Sequence, residues 1–549
     1  MKTNLIVILV LLFTAAVSHA ENEEVEDISA LFRKYLNNQR VVKCGTPHLI
    51  SLLNGDTEEA AAFKTAYTHN TRPTMEVFTD SENGHFRVHY DLEGGNAPDP
   101  EDNNNNSIPD FVDSTLVYLE IAWQYIVVDL GYGQPKPDGT KGGSMNIIDC
   151  YIKNLSKESL YGYTMPDLAT GGFTSSYIII DNDFSDNIYP TKGYDALKIT
   201  TAHEFFHTIH FSYYSGSDVV WWMEHSAVWM EDQIWDDVND YFNYLGFIFD
   251  NRDLPLDTYS GTFEYGASLF AYHIAKEYGT QMIRTIWKTF RDNQNGKIEN
   301  LNSVLPHGLS RSISDLAVWL YFTRERSNPE DFFKDSDLFY HTIEPEQVVD
   351  GEATVDSLSF KHYTFNYIDI KPRDGFSYGD SLYFSFEDRN GGLWKNQVIL
   401  YNSSYNYEIE MLSGNNPSIA VPRPFDNAVL VITNVSQLNN TYNYVYSVDT
   451  ISSKNVEHDP LPVPFVLHQN YPNPFNPLTT ITYSIKEESP VTMKVMNTEG
   501  QVVATLVNDI LKQGSYSTVF DGSYLSSGTY FVVLKAGRSR LTRKMSLVK

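Results

Sequence analysis

Hydrophobic positions change period several times along this 549-residue chain, and each change marks a part. An apolar run from Leu5 to Val17 follows Met1-Lys2 and ends in Ser18-His19-Ala20, the pattern of a secretory signal over residues 1–20. The run is shorter than the ~20 residues a membrane span requires. From residue 21 to about 73 a charged, mostly helical pattern built on Ile28, Leu31, Phe32 and Tyr35 predicts an N-terminal segment or propeptide. Phe86 to Tyr90 alternates as a strand, and Pro109 to Leu130 reads as a helix with proline in its first turn. Strands are predicted near Asn146 to Ile152 and Tyr177 to Asp181, and two helices run almost back to back from Ala196 to Trp235. Helical signals resume at Gly266 to Phe290 and at Ile313 to Phe322, closing a mixed part over residues 74–335.

Beyond it the period falls to two. Short aromatic alternations such as Leu382-Tyr383-Phe384-Ser385-Phe386, broken by Gly, Asn and Pro, predict a β-sandwich over 345–453. The stretch from Lys454 to Pro464, with three prolines, reads as a linker. Strand patterns at Thr480 to Ile485, Val491 to Met496, Gln501 to Leu506 and Thr529 to Leu534 then predict a small antiparallel sandwich over 465–549. The fold class is therefore α+β, and no long-period repeat is present.

Composition narrows the partners. The formal charge of -30 disfavours nucleic acid and anionic membranes, whose phosphates it would repel. With 42% apolar residues the chain can bury sizeable cores. No second stretch reads as a membrane span, so a soluble or surface-tethered exported protein is expected, acting as a monomer.

The strongest chemical signal is His203-Glu204-Phe205-Phe206-His207. In a helix, a spacing of four sets both imidazoles one turn apart on one face, where they can grip a single Zn²⁺. Glu204 then lies beside the metal as the base for its water. Ala202, Phe205, Phe206 and Ile209 give the same helix a buried stripe. A catalytic zinc needs a third protein ligand and an open fourth position. Glu224, in Trp221-Trp222-Met223-Glu224-His225-Ser226-Ala227, can supply it from a second helix packed antiparallel to the first.

This HExxH followed by Trp-x-x-Glu-x-x-Ala resembles the gluzincin branch of zinc peptidases. The resemblance implies a zincin-like catalytic domain, with His203, His207 and Glu224 as zinc ligands and Glu204 catalytic. It also implies an extracellular protein or peptide substrate. Glu231 suits a role holding a ligand histidine by its other nitrogen. The metzincin pattern fails, because His210 and Tyr213 stand where Gly and His are required. His210 falls on the ligand face one turn onward, where it either supports the site or is satisfied by a neighbour. Tyr265, in Phe263-Glu264-Tyr265-Gly266, resembles tyrosines that stabilise the oxyanion in related peptidases.

Two cysteines leave two readings open. An exported pair, Cys44 and Cys150, is expected to form a disulfide. Alternatively Lys43-Cys44-Gly45-Thr46-Pro47 resembles the Cys-Gly-x-Pro switch with which matrix metalloproteinase propeptides cap their zinc.

Asp102-Asn103-Asn104-Asn105-Asn106-Ser107-Ile108-Pro109-Asp110-Phe111-Val112-Asp113 has the ligand rhythm of an EF-hand-like calcium loop. Asp102, Asn104, Asn106, Asp110 and Asp113 would offer side-chain oxygens and Ile108 its carbonyl to Ca²⁺. Ser107 and Asp113 replace the usual Gly and Glu, so weak binding is expected; an Asx-rich turn is the alternative. Over roughly residues 80 to 330 the order of these motifs resembles a family of secreted bacterial metalloproteases inferred from sequence, which implies fold and chemistry but no substrate.

The segment Leu467-His468-Gln469-Asn470-Tyr471-Pro472-Asn473-Pro474-Phe475, the Ser527-Gly528-Thr529-Tyr530-Phe531 turn and the Lys544-Met545 ending resemble the C-terminal sorting domains of type IX secretion. That resemblance implies the type IX machinery as a partner and passage through the periplasm to the cell surface or medium. The rival readings are a non-catalytic adhesin with a structural or vestigial metal site, and a zinc hydrolase acting on another bond. Intact Glu204 argues against the first, since a structural site has no use for a base.

Overall fold

The computed structural model describes residues 28–36, 43–68, 72–143, 146–167, 174–345, 347–349, 354–371, 380–402, 406–420, 425, 427–451, 465–467, 469–470, 473–512, 514–537 and 539–549. The signal segment 1–20 and the linker 454–464 lie outside the described residues. The chain divides into two compact units, Met1–Ser453 and Lys454–Lys549.

A five-stranded sheet organises the first unit. Its strands are β1 (Val77–Asp80), β2 (Phe86–Tyr90), β3 (Ile148–Ile152), β4 (Gly162–Pro166) and β5 (Ser176–Ile180), in the order β1-β2-β3-β5-β4. Strands β2, β3 and β5 are parallel, while β1 and β4 close the edges antiparallel. The inner strands are covered on both faces, and successive residues alternate between two cores. Cys150, Ile152, Ile178 and Ile180 enter the main core, whereas Tyr151, Tyr177 and Ile179 join a second one. A strand covered on both sides reads as a continuous apolar run, as Tyr177-Ile178-Ile179-Ile180 does.

The N-terminal segment provides the second cover. Its helices α1 (Ile28–Leu36), α2 (Thr46–Asn54) and α3 (Glu58–Thr68) set Phe32, Leu36, Leu49, Leu52, Leu53 and Phe63 against that face. At roughly 1.5–3 kcal/mol per fully buried Leu or Phe, the contact is worth several kcal/mol even after allowing for burial in the unfolded chain. Residues Lys43 to Gly45 run beside β4, with Tyr161 N–H donating to Lys43 O (2.9 Å) and Gly45 N–H to Gly162 O (3.0 Å). Cys44 forms a parallel bridge with Gly162.

Helices cover the opposite face. α4 (Asp110–Trp123) continues into a π-helical turn, Gln124–Asp129, and starts one residue after the proline that sequence reading set inside it. By composition, Asp110–Asp129 is apolar enough over 20 residues to cross a membrane, contrary to the expectation of no second such stretch. Its Phe111, Val112, Leu119, Ala122 and Ile126 lie in the protein core. α5 (Gly193–His210) and α6 (Val220–Ile234) pack against each other at the centre. Every residue from Ile199 to His210 and from Val220 to Asp232 is buried, so the charged groups on these helices must find partners inside the protein. Beyond the short helix Gly246–Asp250, this part contains α7 (Phe263–Ala267), α8 (Leu269–Tyr278), α9 (Gln281–Asn293) and α10 (Leu309–Tyr321).

The β-sandwich packs directly on α10. One sheet, ordered β11-β10-β13-β8-β6, contains β6 (Gln347–Val349), β8 (Thr364–Ile370), β10 (Trp394–Tyr401), β11 (Tyr407–Leu412) and β13 (Asn427–Asn434). The other, ordered β12-β9-β14-β7, contains β7 (Thr354–Phe360), β9 (Ser381–Asp388), β12 (Ser418–Ala420) and β14 (Tyr442–Ile451). In the first sheet Ile368, Val398, Leu400, Leu430 and Ile432 point into the sandwich. The alternate residues Phe365, Tyr367, Ile399, Val429 and Val431 belong to the core of the helical part. Tyr367 donates its hydroxyl to Ala317 O of α10 at 2.6 Å.

The second unit has its own core. Strands β15 (Val466–Leu467), β16 (Leu478–Ile485) and β19 (Gly514–Asp521) form one sheet. Strands β17 (Ser489–Met496), β18 (Val502–Leu511), β20 (Gly528–Ala536) and β21 (Ser539–Leu547) form the other. Val491, Met493, Val495, Val532, Leu534 and Met545 fill the space between them with strict alternation.

Candidate metal centre

Helix α5 presents His203 and His207 on one face, as their spacing requires, and their Nε2 atoms lie 3.0 Å apart. The neighbouring α6 brings Glu224 to the same point, with Oε2 3.3 Å from His203 Nε2 and Oε1 3.1 Å from His207 Nε2. The fourth group comes from outside the two helices: Cys44 Sγ is 3.4 Å from His207 Nε2. One donor atom from each of Cys44, His203, His207 and Glu224 lies within 4.8 Å of all the others.

These residues fit a small tetrahedral cation. Donors about 2.1 Å from such an ion stand about 3.4 Å from one another, close to the separations seen here. Glu224 is fully buried, yet neither of its oxygens has a hydrogen-bond partner among the described residues. A buried carboxylate whose only close polar neighbours are two imidazole nitrogens is costly unless positive charge meets it. Burial acts to raise the Glu224 carboxyl, but His207 and His203 outweigh it and hold the group well below the usual carboxylate range. Burial beside Glu204 and Glu224 pushes the Cys44 thiol well up; a divalent cation inverts that balance, because a coordinating thiol is deprotonated.

Each histidine is oriented through its other nitrogen. His203 Nδ1 lies 2.6 Å from Glu231 Oε1, and Glu231 Oε2 accepts from Lys43 Nζ at 2.7 Å. Lys43 also pairs with Asp240, and all three side chains are buried. Burial works against the charge on His203, while Glu224 and Glu231 outweigh it and raise the ring to about 10. His207 Nδ1 faces His210 Nδ1 at 3.1 Å. His210 stacks on Trp287 at 4.0 Å between ring centres, and burial drives it well below the ordinary histidine range, so its ring is neutral. Glu231 and His210 thus both sit where they fix a ring that faces the cluster.

Glu204 lies beside the cluster, held by Thr164 Oγ1 of β4 at 2.8 Å and by Thr46 Oγ1 at 3.3 Å. Tyr265, on α7, accepts the Cys44 backbone N–H through its hydroxyl at 3.2 Å. Thr164, Lys43 and Asp240 escaped sequence reading. No spacing rule links a lysine to a carboxylate 188 residues away, and a threonine on an apolar strand carries no signature of its own.

The expected disulfide is absent: Cys44 and Cys150 are both free and buried. Both side chains reach the main core, but Cys150 enters it from β3, an inner strand, while Cys44 enters from the chain paired to the sheet edge at β4, where its sulfur faces His207. The compartment argument for a bridge yields to this placement.

The Asp102–Asp113 loop closes on itself. Asn104 Nδ2 and Asn106 Nδ2 both donate to Asp113 Oδ2, at 2.9 and 2.8 Å. Asp102 accepts the backbone N–H groups of Asn106 and Ser107, and Ile108 N–H donates to Asn106 Oδ1. Asp110 stands apart from this set, since its carboxylate accepts from Asn103. Asn105 and Ser107 take φ values of 60° and 70°, the tight turns such a loop needs.

Comparison with known proteins identifies one part. Residues 469–548 match the family model of the secretion system C-terminal sorting domain, so the chain carries a type IX sorting domain and is a secreted or cell-surface protein. No curated protein matches the chain. Among solved structures it is similar to apo β-glucuronidase 3 of Bacteroides uniformis, at 10% identity and a TM-score of 0.14, over 33% of this chain and 27% of that one. A β-1,2-glucanase from Parabacteroides distasonis matches at 10% identity and 0.13, over 37% and 38%. A GH2 β-galacturonidase from Eisenbergiella tayi, bound to glycerol, matches at 10% and 0.14, over 36% and 35%. The chain spans about a third of the length of these structures, and likenesses this weak carry no argument about its fold or chemistry.

Proposed function

We propose that the chain is a secreted zinc-dependent endopeptidase of the gluzincin type, acting on extracellular protein. The observation that carries this reading is the convergence of His203, His207 and the buried Glu224 carboxylate beside the carboxylate of Glu204. The mixed sheet with an antiparallel edge strand next to α5 also supports a zincin-like arrangement. A zinc ion held by these three residues would polarise the scissile carbonyl and acidify the attacking water.

Glu204 takes a proton from that water and delivers it to the departing amine, while Thr164 fixes one of its oxygens. His203 and His207 keep their orientation through Glu231 and His210. Tyr265, whose hydroxyl lies over Cys44, donates to the oxyanion as charge develops there. The buried surroundings strengthen each of these interactions. A second ion, Ca²⁺, belongs to the same proposal: Asp102, Asn104, Asn106, Asp113 and the Ile108 carbonyl would hold it at the start of α4.

The test is hydrolysis of a denatured protein by the mature chain recovered from the medium, comparing wild type with Glu204→Gln and measuring zinc in both. Zinc in both and hydrolysis by the wild type alone is the expected result, with a loss of about 10²–10⁴-fold in the variant. Zinc in neither, or equal hydrolysis by the two zinc-loaded proteins when both also carry Cys44→Ser, would sink the reading.

A further inference from the structure

The site described above is closed, and what closes it is the chain's own N-terminal segment. Cys44 Sγ sits 3.4 Å from His207 Nε2, in the fourth position of a set whose other members are His203, His207 and Glu224. Its backbone is docked as carefully as its sulfur. Lys43, Cys44 and Gly45 extend the five-stranded sheet by pairing with the outer edge of β4. An unpaired strand edge beside a reactive centre is the surface an extended peptide uses when it adds to a sheet.

The packing around this short strand is specific. A Cβ on Gly45 would lie 2.9 Å from Leu160 Cδ1 and 3.0 Å from Tyr163 Cβ, so only glycine approaches β4 this closely without displacement. Lys43 is buried between Glu231 and Asp240, and Thr46 reaches Glu204, so the segment touches the base, a ligand-orienting carboxylate and the metal cluster together. Tyr265 accepts the Cys44 N–H, which leaves the proposed oxyanion donor engaged with the segment's backbone.

We infer that residues 43–46 are a built-in plug: Cys44 is the fourth metal ligand, and Lys43–Gly45 occupies the groove along β4 that an extended peptide substrate enters. This rests on the zinc peptidase reading and adds its regulation and substrate geometry. The exported chain is latent while the segment is docked. It becomes active when the strand leaves the β4 edge, which opens the fourth position, frees Tyr265 and clears the groove in one event. The two glycine-permitted contacts and the Lys43 ion pairs set how firmly the plug is held.

The test replaces zinc by cobalt(II) in the chain from residue 21 onward and records metal content, the near-ultraviolet thiolate-to-cobalt charge-transfer band, and hydrolysis of an unfolded protein. The wild type is expected to bind cobalt, show the band and hydrolyse slowly. Cys44→Ser is expected to keep its cobalt, lose the band and hydrolyse at least about tenfold faster, the factor released by 1.4 kcal/mol of lost ligation. Gly45→Val, which forces the strand off β4 with the thiol intact, is expected to weaken the band and raise hydrolysis as well. Cobalt bound by the wild type without the band would overturn the plug while leaving the peptidase reading in place. Failure of the wild type to bind cobalt at all would bring down the peptidase reading itself. Equal hydrolysis by all three proteins, with the band present in the wild type, would overturn the claim that this ligand blocks the groove.

Discussion

Lys43 Nζ donates to Glu231 Oε2 at 2.7 Å, and the other oxygen of that carboxylate lies 2.6 Å from His203 Nδ1. A buried ammonium on the N-terminal segment is therefore one residue removed from an imidazole of the His203–His207–Glu224 cluster. Burial disfavours the Lys43 charge, but Asp240 and Glu231 outweigh it and keep the ammonium above its ordinary range.

Breaking this network from either side has different consequences. Lys43→Met leaves Asp240 buried without its countercharge and Glu231 with His203 alone, a loss expected at about 3–5 kcal/mol of stability in the full chain. Glu231→Gln retains an acceptor but removes the charge that orients His203, and zinc affinity is expected to fall about 10–100-fold. Thermal unfolding reads the first effect and competition with a chelator reads the second. A Glu231→Gln protein that holds zinc as tightly as wild type would contradict the orienting role.

Asp232, at the end of α6, gives a pH-dependent prediction. Burial pushes its carboxyl up to about 7, aided by Asp335 and Asp236 and opposed by Lys334. An acid raised in the folded state leaves stability intact below its unfolded value and costs stability as pH climbs through the folded value. Asp232→Asn removes that cost. Its melting temperature relative to wild type is expected to rise between about pH 4 and pH 7, by an amount equivalent to at most roughly 4 kcal/mol. A difference that does not change with pH would refute the assignment.

Much of this was legible from residues alone, for reasons that differ by element. The four-residue spacing of His203 and His207 encodes a shared helical face whatever surrounds it, so the pair meets as expected. Glu224 needed the position of a second helix, which sequence supplied only through its Trp-x-x-Glu-x-x-Ala context. Glu231 and His210 lay at helical offsets compatible with a supporting role, and packing brings them against the Nδ1 atoms of His203 and His207. The cysteines show the opposite case. Export favours a bridge for any pair, but strand pairing at the β4 edge fixes the Cys44 sulfur beside His207 and leaves Cys150 on the inner strand β3. The reach of Lys43 to Glu231 across 188 residues is a property of the folded chain alone.

The loop from Asp102 to Asp113 predicts a calcium response. Extracellular sites of this type bind at about 10⁻⁴–10⁻³ M, so calcium at ten times its dissociation constant is expected to add about 1.4 kcal/mol to stability. Asp113→Ala removes the oxygen on which Asn104 and Asn106 converge and is expected to abolish the response. Calcium titration of the melting temperature, with magnesium as control, decides the point. A response that survives in Asp113→Ala would move the ion elsewhere.

Removal of residues 465–549 tests the sorting domain separately from the chemistry. With the terminal core gone as a unit, the remaining chain is expected to stay cell-associated, since residues 469–548 carry the export signal. Fractionation of cells and medium provides the measurement. Release of the truncated chain in normal yield would show that another segment directs export.

The two-sided sheet of the β-sandwich has a practical corollary for anyone dividing this protein. Phe365, Tyr367, Ile399, Val429 and Val431 face the helical part and not the sandwich interior. Expressing residues 74–335 alone would lay bare the α10 surface they cover, and expressing the sandwich alone would expose a flat aromatic and β-branched face. Both fragments would be prone to self-association, the ordinary fate of a large exposed apolar patch. The smallest piece that leaves this seam intact runs through β14 to Ile451, and recombinant work is best bounded there.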